Sequence, residues 1–157
     1  MTATAVETVT GTATQMDALL LAEGTTGDKV NLDGDFAITI NSGTATVAQV
    51  NSYGSATTGV ITATISDQTI AALDDLTTSS ADQLTITVAS TSATAAQLTT
   101  VAGATGLNVT ATAVEAITNS SVAQVKALLL VEGSTGDKVN LDGDFTVGIN
   151  DTGTVDS

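Results

Sequence analysis

A long internal repeat constrains the fold of this chain more than any other sequence feature. Residues 18–36 read ALLLAEGTTGDKVNLDGDF, and residues 127–145 repeat this segment with only two substitutions. Upstream, residues 2–10 (TATAVETVT) match residues 110–118 (TATAVEAIT), with one residue inserted before the longer match. Matches of this length indicate tandem duplication, so the fold must accommodate the same segment twice.

The offset between matching residues gives a period of about 108 residues. We therefore interpret residues 1–157 as a single repeat array, with a first copy at 2–109 and a partial second copy at 110–157. Residues 151–157 stand where the next helix would begin. Together with the absence of a signal-peptide pattern after Met1, this suggests an excerpt from a longer array or a subunit that meets other copies.

Shorter strand–helix patterns recur inside the long period. Alternating apolar and polar residues, many of them β-branched, predict strands at 36–40, 60–65, 84–88 and 107–112. Apolar residues three or four apart predict helices at 44–54, 66–76, 91–103 and 120–133, with a further helix beginning near residue 12. Glycines near the ends of these patterns are expected C-caps, namely Gly24, Gly54, Gly103 and Gly133.

These patterns predict an α/β fold with about four strand–helix units in each period. Strands joined through a helix by short links pair in parallel by a right-handed crossover. A unit of about 27 residues cannot bury its own apolar face and must stack on its neighbours. We expect a strand–helix (βα) solenoid with one parallel sheet and short helices along one side. The alternative is a compact α/β sandwich of the same pieces.

The charge and composition exclude several classes of function. The chain carries 17 acidic residues against three lysines, for a net charge of -14, and it has no His and no Cys. Three cations cannot form the basic surface that nucleic acids require, and an anionic membrane would repel the chain. Conventional zinc sites and imidazole or thiolate catalysis are excluded. No apolar stretch reaches the length of a membrane span, so membrane insertion is not expected.

A short pattern within the units resembles a known kind of repeat. It consists of a Thr-rich strand, a segment of the type Thr-Ala-x-x-x-Gln followed by an apolar residue, and a Thr-Thr-Gly or Ala-Thr-Gly link. Instances are Thr44-Ala-Thr-Val-Ala-Gln49-Val, Thr94-Ala-Ala-Gln97-Leu and Ser121-Val-Ala-Gln124-Val. The pattern resembles the Thr/Ala/Val/Asp-rich tandem repeats of very large bacterial cell-surface proteins, notably from marine bacteria. The resemblance implies an adhesin, surface-layer or matrix component without catalytic residues.

One acidic segment, present in both copies, is the candidate metal site. It reads Gly-Asp-Lys-Val-Asn-Leu-Asp-Gly-Asp at 27–35 and again at 136–144. Oxygen donors around a glycine-containing turn are typical of Ca²⁺ sites, although the spacing is not that of an EF-hand. The candidate ligands are Asp28, Asn31, Asp33, Asp35, Asp137, Asn140, Asp142 and Asp144. The favoured alternative is a plain turn, since Asp33-Gly34 is a strong hairpin signal.

Acidic residues at helix ends and Thr-x-Thr pairs on strands are two further candidate functional sites. Glu23 and Glu132 precede the helix-ending glycines, but they are copies of one position, and we interpret them, like Asp74-Asp75, as solvated charge. Thr-x-Thr pairs would form rows of hydroxyl and methyl groups if their strands stacked on one flat sheet, as on ice-binding surfaces. These pairs are Thr62/Thr64, Thr85/Thr87 and Thr110/Thr112. The ordinary interpretation is that Thr favours strands.

The sequence therefore predicts a structural protein and not an enzyme. We expect an extracellular or cell-surface spacer, or a filament-forming segment, whose partners are other copies of the same repeat or chain. The alternative is a binding module: a Ca²⁺-dependent adhesin, or a binder of glycan or ice through the Thr rows. No cofactor is required under either hypothesis. An enzyme would have to work with acidic residues alone, in a cleft that shifts at least one pKa.

Overall fold

A computed structural model describes residues 2–3, 5–23, 30–132 and 138–150 of the chain. This part of the chain contains five helices: α1 (Ala13–Glu23), α2 (Val47–Ala56), α3 (Ile70–Leu73), α4 (Ala95–Gly103) and α5 (Val122–Glu132). Its strands are β1 (Thr2–Ala3), β2 (Thr8–Thr12), β3 (Asn31–Leu32), β4 (Ala37–Ser42), β5 (Ile61–Thr64), β6 (Gln83–Thr87), β7 (Ser92–Ala93), β8 (Val109–Ala111), β9 (Ala116–Ser120), β10 (Val139–Leu141) and β11 (Thr146–Ile149). The fold is α/β.

The chain forms two compact lobes. Lobe 1 comprises the described residues of Met1–Asp67, Asp75–Thr85 and Ala104–Leu107. Lobe 2 comprises those of Gln68–Asp74, Ile86–Gly103 and Asn108–Ser157. Strand β6 contributes its first three residues to lobe 1 and its last two to lobe 2.

Every strand pair in both lobes is parallel. In lobe 1, β2 pairs with β4, β4 with β5 and β5 with β6, while β1 pairs with β3. In lobe 2, β6 pairs with β8 and β8 with β10, while β7 pairs with β9 and β9 with β11. The strands pair in chain order, and a helix intervenes between most partners, which is the arrangement that short strand–helix–strand links favour.

The core lies between the inward side chains of the strands and one side of each helix. Burial alternates along the strands, so that Ile61 and Ala63 of β5 are buried and the threonines between and after them are exposed. In lobe 1 the core includes Val50 and Tyr53 of α2, and in lobe 2 it includes Leu98 of α4. The alternation is that of strands with one buried face.

The same capping arrangement begins four of the five helices. In α2, the N–H of Gln49 donates to the Thr46 hydroxyl at 3.2 Å, and the Gln49 side-chain oxygen accepts from the Thr46 N–H at 3.0 Å. Equivalent reciprocal bonds join residues 12 and 15, residues 94 and 97, and residues 121 and 124. This capping box satisfies backbone donors that a helix N-terminus leaves unpaired. The Ser/Thr-x-x-Gln spacing thus sets where these helices begin.

The structure corrects three details of the sequence-based prediction. The expected single parallel sheet is accompanied by separate β1–β3 and β7–β9–β11 sheets. Three of their strands, β1, β3 and β7, have only two residues each, too few for an alternating pattern to be detected. The helix predicted at 66–76 is one turn, Ile70–Leu73, and its N-cap Thr69 makes no side-chain capping bond. Gly54 lies inside α2 rather than at its C-cap, because the helix continues to Ala56. Gly103 ends α4, and the other two predicted C-caps, Gly24 and Gly133, lie outside the described residues.

Candidate functional site

Four polar side chains are buried among the described residues, and a buried polar group is a candidate for a functional role. They are Thr57, Asp82, Thr105 and Ser120. Each of them bonds to the backbone of a neighbouring strand–helix unit. The Thr57 hydroxyl donates to the Phe36 carbonyl at 2.6 Å, and one Asp82 carboxylate oxygen accepts from the Ile61 N–H at 2.8 Å. These side chains hold consecutive units together.

Thr105 has the most complete set of partners. Its hydroxyl accepts from the Leu84 N–H at 2.9 Å and donates to the Leu84 carbonyl at 2.8 Å. It also accepts from the Leu107 N–H at 3.1 Å, which fixes the link that follows α4. Within the described residues, every buried side-chain nitrogen and oxygen has a hydrogen-bond partner. The hydroxyl of Thr105 therefore acts in structure.

The exposed side of the parallel strands carries the predicted threonine rows. In lobe 1, Thr10 pairs with Thr39 and Thr39 with Thr62, and on the next rung Thr64 pairs with Thr85. In lobe 2, a row consists of Thr87, Thr110 and Asn140. Neighbouring strands place paired residues about 4.8 Å apart. The lobe 1 rows are therefore ladders of hydroxyl and methyl groups on one face of the sheet, whereas the lobe 2 row ends in the side-chain amide of Asn140.

The first-copy acidic segment forms a strand followed by a turn. Asn31 lies on β3 with its side chain exposed, and Asp33 and Asp35 are exposed on either side of Gly34. A turn is present at residues 34–35, as the favoured interpretation expected. It does not close a hairpin, because β3 pairs with β1 while β4 pairs with β2 and β5. The Asp-Gly signal predicted the turn correctly and the antiparallel pairing wrongly.

In the second copy, two candidate ligands line a cleft in lobe 2. Asp142 and Asp144 share this cleft with Glu115 and Thr146, while Asn140 lies exposed on β10. In the described part of the chain, no three acidic side chains come close enough together to hold a metal ion. The remaining candidate ligands, Asp28 and Asp137, lie outside the described residues.

One buried tyrosine couples two helices in lobe 1. The Tyr53 hydroxyl of α2 donates to a carboxylate oxygen of Asp17 on α1 at 2.9 Å, and it lies 3.1 Å from the Ala13 carbonyl oxygen. The other Asp17 oxygen accepts from the Gln49 side-chain amide at 2.7 Å. Burial raises the pKa of Tyr53 well above its usual value, and the hydrogen bond and charge of Asp17 raise it further. The tyrosine is thus held neutral as a structural donor.

The remaining candidates lie at helix ends. Glu23 is the last residue of α1 and Glu132 the last of α5, while Asp74 is the C-cap of α3 and Asp75 is exposed after it. Solvated charge remains the interpretation for Glu23, Asp74 and Asp75, which are half-buried or exposed, and the side chain of Glu132 lies outside the described part of the structure. None of the described helices is long and apolar enough to cross a bilayer.

An exposed apolar surface on α5 was not anticipated from the sequence. It is lined by Val122, Val125, Lys126, Leu129, Leu130 and Ile149, and we call it the α5 face. The sequence signal was available, since these helical residues recur three or four apart. The spacing predicts the helix but not which of its residues are covered, and Leu130 is 67% exposed and Val122 is 56% exposed.

The Ser/Thr-x-x-Gln capping pattern was also missed as a structural device. The sequence signal is the spacing of Gln15, Gln49, Gln97 and Gln124 three residues after a Ser or Thr, which is that of a capping box. In comparisons with protein-family models, with curated proteins and with solved structures, nothing matches the chain.

Proposed function

We propose that the chain is a non-enzymatic structural repeat of a bacterial surface protein, which acts as a spacer or self-associating segment outside the cell. Its strand–helix units stack one after another as a solenoid, so that adding repeats adds length. The partners of such a segment are further copies of the same repeat.

The observation that carries the proposal is the parallel pairing of strands in chain order. In lobe 1, Thr62 and Thr64 of β5 pair with Gln83 and Thr85 of β6, at a constant offset of 21 residues. The sequence repeat then makes β10 and β11 the second-copy counterparts of β3 and β4. A fold in which each unit contacts mainly its neighbours can be lengthened without redesign.

The use of buried polar groups supports the same proposal. The four buried polar side chains bond to backbone of neighbouring units, which is the role expected where units must stack in register.

The acidic surface, with 17 acidic residues against three lysines, favours solubility at high salt and disfavours non-specific association. Both features suit an extended protein that works outside the cell.

Small-angle X-ray scattering on chains of different repeat number tests the proposal. One or two extra copies of residues 2–109 are placed in register before the chain. Because each unit advances by one strand spacing of about 4.8 Å, each four-unit period should lengthen the particle by about 19 Å. If each period folded as a separate globular domain, the particle length would increase by roughly 30 Å or more per period. If the whole chain formed a single globule, the particle would grow in all dimensions. Either result would contradict the solenoid.

A second candidate function is binding to a regular surface, such as ice or a glycan, through the threonine rows. The ladder Thr10–Thr39–Thr62, with its two ends exposed and Thr39 half-buried, favours it, because its hydroxyls and methyls repeat at the strand spacing. Inhibition of ice recrystallisation tests the ice version. Activity that is lost in Thr39→Lys and retained in Ser52→Lys, on exposed α2 surface, would establish this function. No activity above that of a matched acidic control protein would exclude it.

A further inference from the structure

The α5 face has a covered counterpart in the first copy. With an offset of 109 residues, α5 and β11 correspond to α1 and β4, and the corresponding residues differ sharply in exposure. Val122, Val147 and Ile149 are 56%, 42% and 48% exposed, whereas their counterparts Ala13, Ile38 and Ile40 are 8%, 0% and 7% exposed. These three positions are therefore buried in lobe 1 and open in lobe 2, whereas Leu130 and its counterpart Leu21 are exposed in both copies, at 67% and 72%.

The elements that cover the first-copy surface are α2 and β5. Tyr53 of α2 bonds to the Ala13 carbonyl and to Asp17, and Gln49 bonds to Asp17. Strand β5 pairs along β4. In lobe 2, no described element occupies the position that α2 holds in lobe 1.

We propose that the α5 face is the docking site for a helix of the α2 type, meaning an amphipathic helix with a buried face like that of Val50 and Tyr53. This inference deepens the proposed function and rests on it, because it names the partner that the stacking requires. The lining of the face is apolar apart from Lys126. A helix that covers it would remove Val122, Leu129 and Ile149 from water.

Lys126 determines which α2-type helix fits best. Its first-copy counterpart is Asp17, whose carboxylate accepts from both Gln49 and Tyr53. A lysine can only donate, and the Gln49 oxygen is already used by the Thr46 N–H. Glutamate at the Gln49 position would preserve the capping box and offer a carboxylate to Lys126. The preferred occupant therefore begins with Ser/Thr-x-x-Glu.

The test appends the helix in register. Residues 42–60 replace residues 151–157, so that they follow Asn150 as they follow Asn41 in the first copy. We expect the melting midpoint to rise by at least about 4 °C, and by more when Gln49→Glu is introduced into the appended segment at low salt. In a Lys126→Asp background, the appended segment that keeps Gln49 should raise the melting midpoint more than the segment with Gln49→Glu. The matched control carries Val50→Asp and Tyr53→Asp in the appended segment and should show no rise.

Three results would overturn this inference. One is an unchanged midpoint on appending residues 42–60, and another is an equal rise with the Val50→Asp, Tyr53→Asp control. The third is dimerisation of the unmodified chain, measured by sedimentation and abolished by Leu130→Asp, which would make a second copy the occupant of the face. The scattering experiment on added periods is independent. Linear growth in length without stabilisation by the appended helix would reject this docking site and retain the structural role.

Discussion

The backbone N–H of Val47, in the first turn of α2, donates a 2.7 Å hydrogen bond to the carboxylate of Asp67, which comes from the following strand–helix unit. The same relationship recurs in lobe 2, where the Ala95 N–H of α4 donates to the Ser120 hydroxyl at 2.9 Å. The first turn of a helix has N–H groups without partners inside the helix. In these units, the next unit supplies the acceptor, so helix capping and stacking are coupled.

Replacing Asp67 should weaken this coupling. Asp67→Ala removes the acceptor for Val47 and should lower the free energy of unfolding by about 1 kcal/mol, whereas Asp67→Asn should retain most of the bond. Urea unfolding followed by circular dichroism measures the difference. Asp75→Ala is the matched control, because it removes the same charge from an exposed position. Equal destabilisation by Asp67→Ala and Asp75→Ala would show that charge, and not capping, is responsible.

The Thr105 hydroxyl should be among the most sensitive polar groups. Thr105→Val keeps the shape but leaves the buried Leu84 N–H without its acceptor, and we expect a loss of about 1–3 kcal/mol in unfolding free energy. Thr110→Val, on the exposed side of β8, should change stability by less than about 0.5 kcal/mol. Denaturant melts of the two variants provide the comparison. Similar stabilities would mean that the Thr105 bonds are not structural.

Substitution by alanine should lower the stability of the protein at Gly59 and leave it unchanged at Gly34. A Cβ at Gly59 would clash with the Phe36 carbonyl oxygen, so Gly59→Ala must displace backbone and should cost about 1–3 kcal/mol or prevent folding. A Cβ at Gly34 would meet nothing within 4 Å, and Gly34→Ala should be neutral to within about 0.5 kcal/mol. Thermal melts distinguish the two. A destabilised Gly34→Ala protein would contradict the described turn.

Alkaline pH should destabilise the fold through Tyr53. Its pKa is raised in the folded state, so the stabilisation is complete below the unfolded pKa, near 10, and is lost as the pH rises above it. In that range, the unfolding free energy of the protein should fall with pH more steeply than that of Tyr53→Phe. The two slopes should differ by about 1.4 kcal/mol per pH unit. Because the chain has one tyrosine and no tryptophan, tyrosinate absorbance reports the ionisation cleanly. Identical pH profiles for the two proteins would refute the buried-donor role.

Calcium provides a test of the acidic segments. If Asp33, Asp35, Asp142 and Asp144 form plain turns, the melting midpoint should be the same with Ca²⁺ and with chelator at matched ionic strength. A rise in Ca²⁺ that disappears in Asp142→Asn would instead establish the metal site predicted as the alternative. Binding to the folded state alone would raise the midpoint further as the Ca²⁺ concentration increases.

The parallel strand–helix architecture could be predicted from sequence because its signals are local and repeated. The alternating segment 84–88 corresponds closely to β6, whereas the helix predicted at 91–103 begins only at Ala95, because residues 92–93 form β7. The helix predicted at 66–76 is a single turn, and it lacks the Ser/Thr-x-x-Gln cap that begins the other four. Short strands such as β7, with two residues, have too few positions for an alternating pattern to be detected.

The contacts between units could not be predicted in the same way. Asp67 and Ser120 cap helices 20 and 25 residues away in the chain, and no local spacing identifies that pairing. The exposure of Ile149 likewise depends on which elements lie beside it, since its first-copy counterpart Ile40 is buried. The Asp33-Gly34 turn was predictable because turn chemistry is local, whereas the strands that it joins find their partners elsewhere.

The most direct test of the stacked parallel units is the measurement of interstrand nuclear Overhauser effects on isotopically labelled protein. The account predicts contacts between Thr62 and Gln83 and between Thr64 and Thr85, with the offset constant along the strands, and likewise between Thr87 and Thr110 in lobe 2. Contacts in which the partner number falls as the residue number rises, with close Hα–Hα pairs, would show antiparallel pairing. That result would contradict the account.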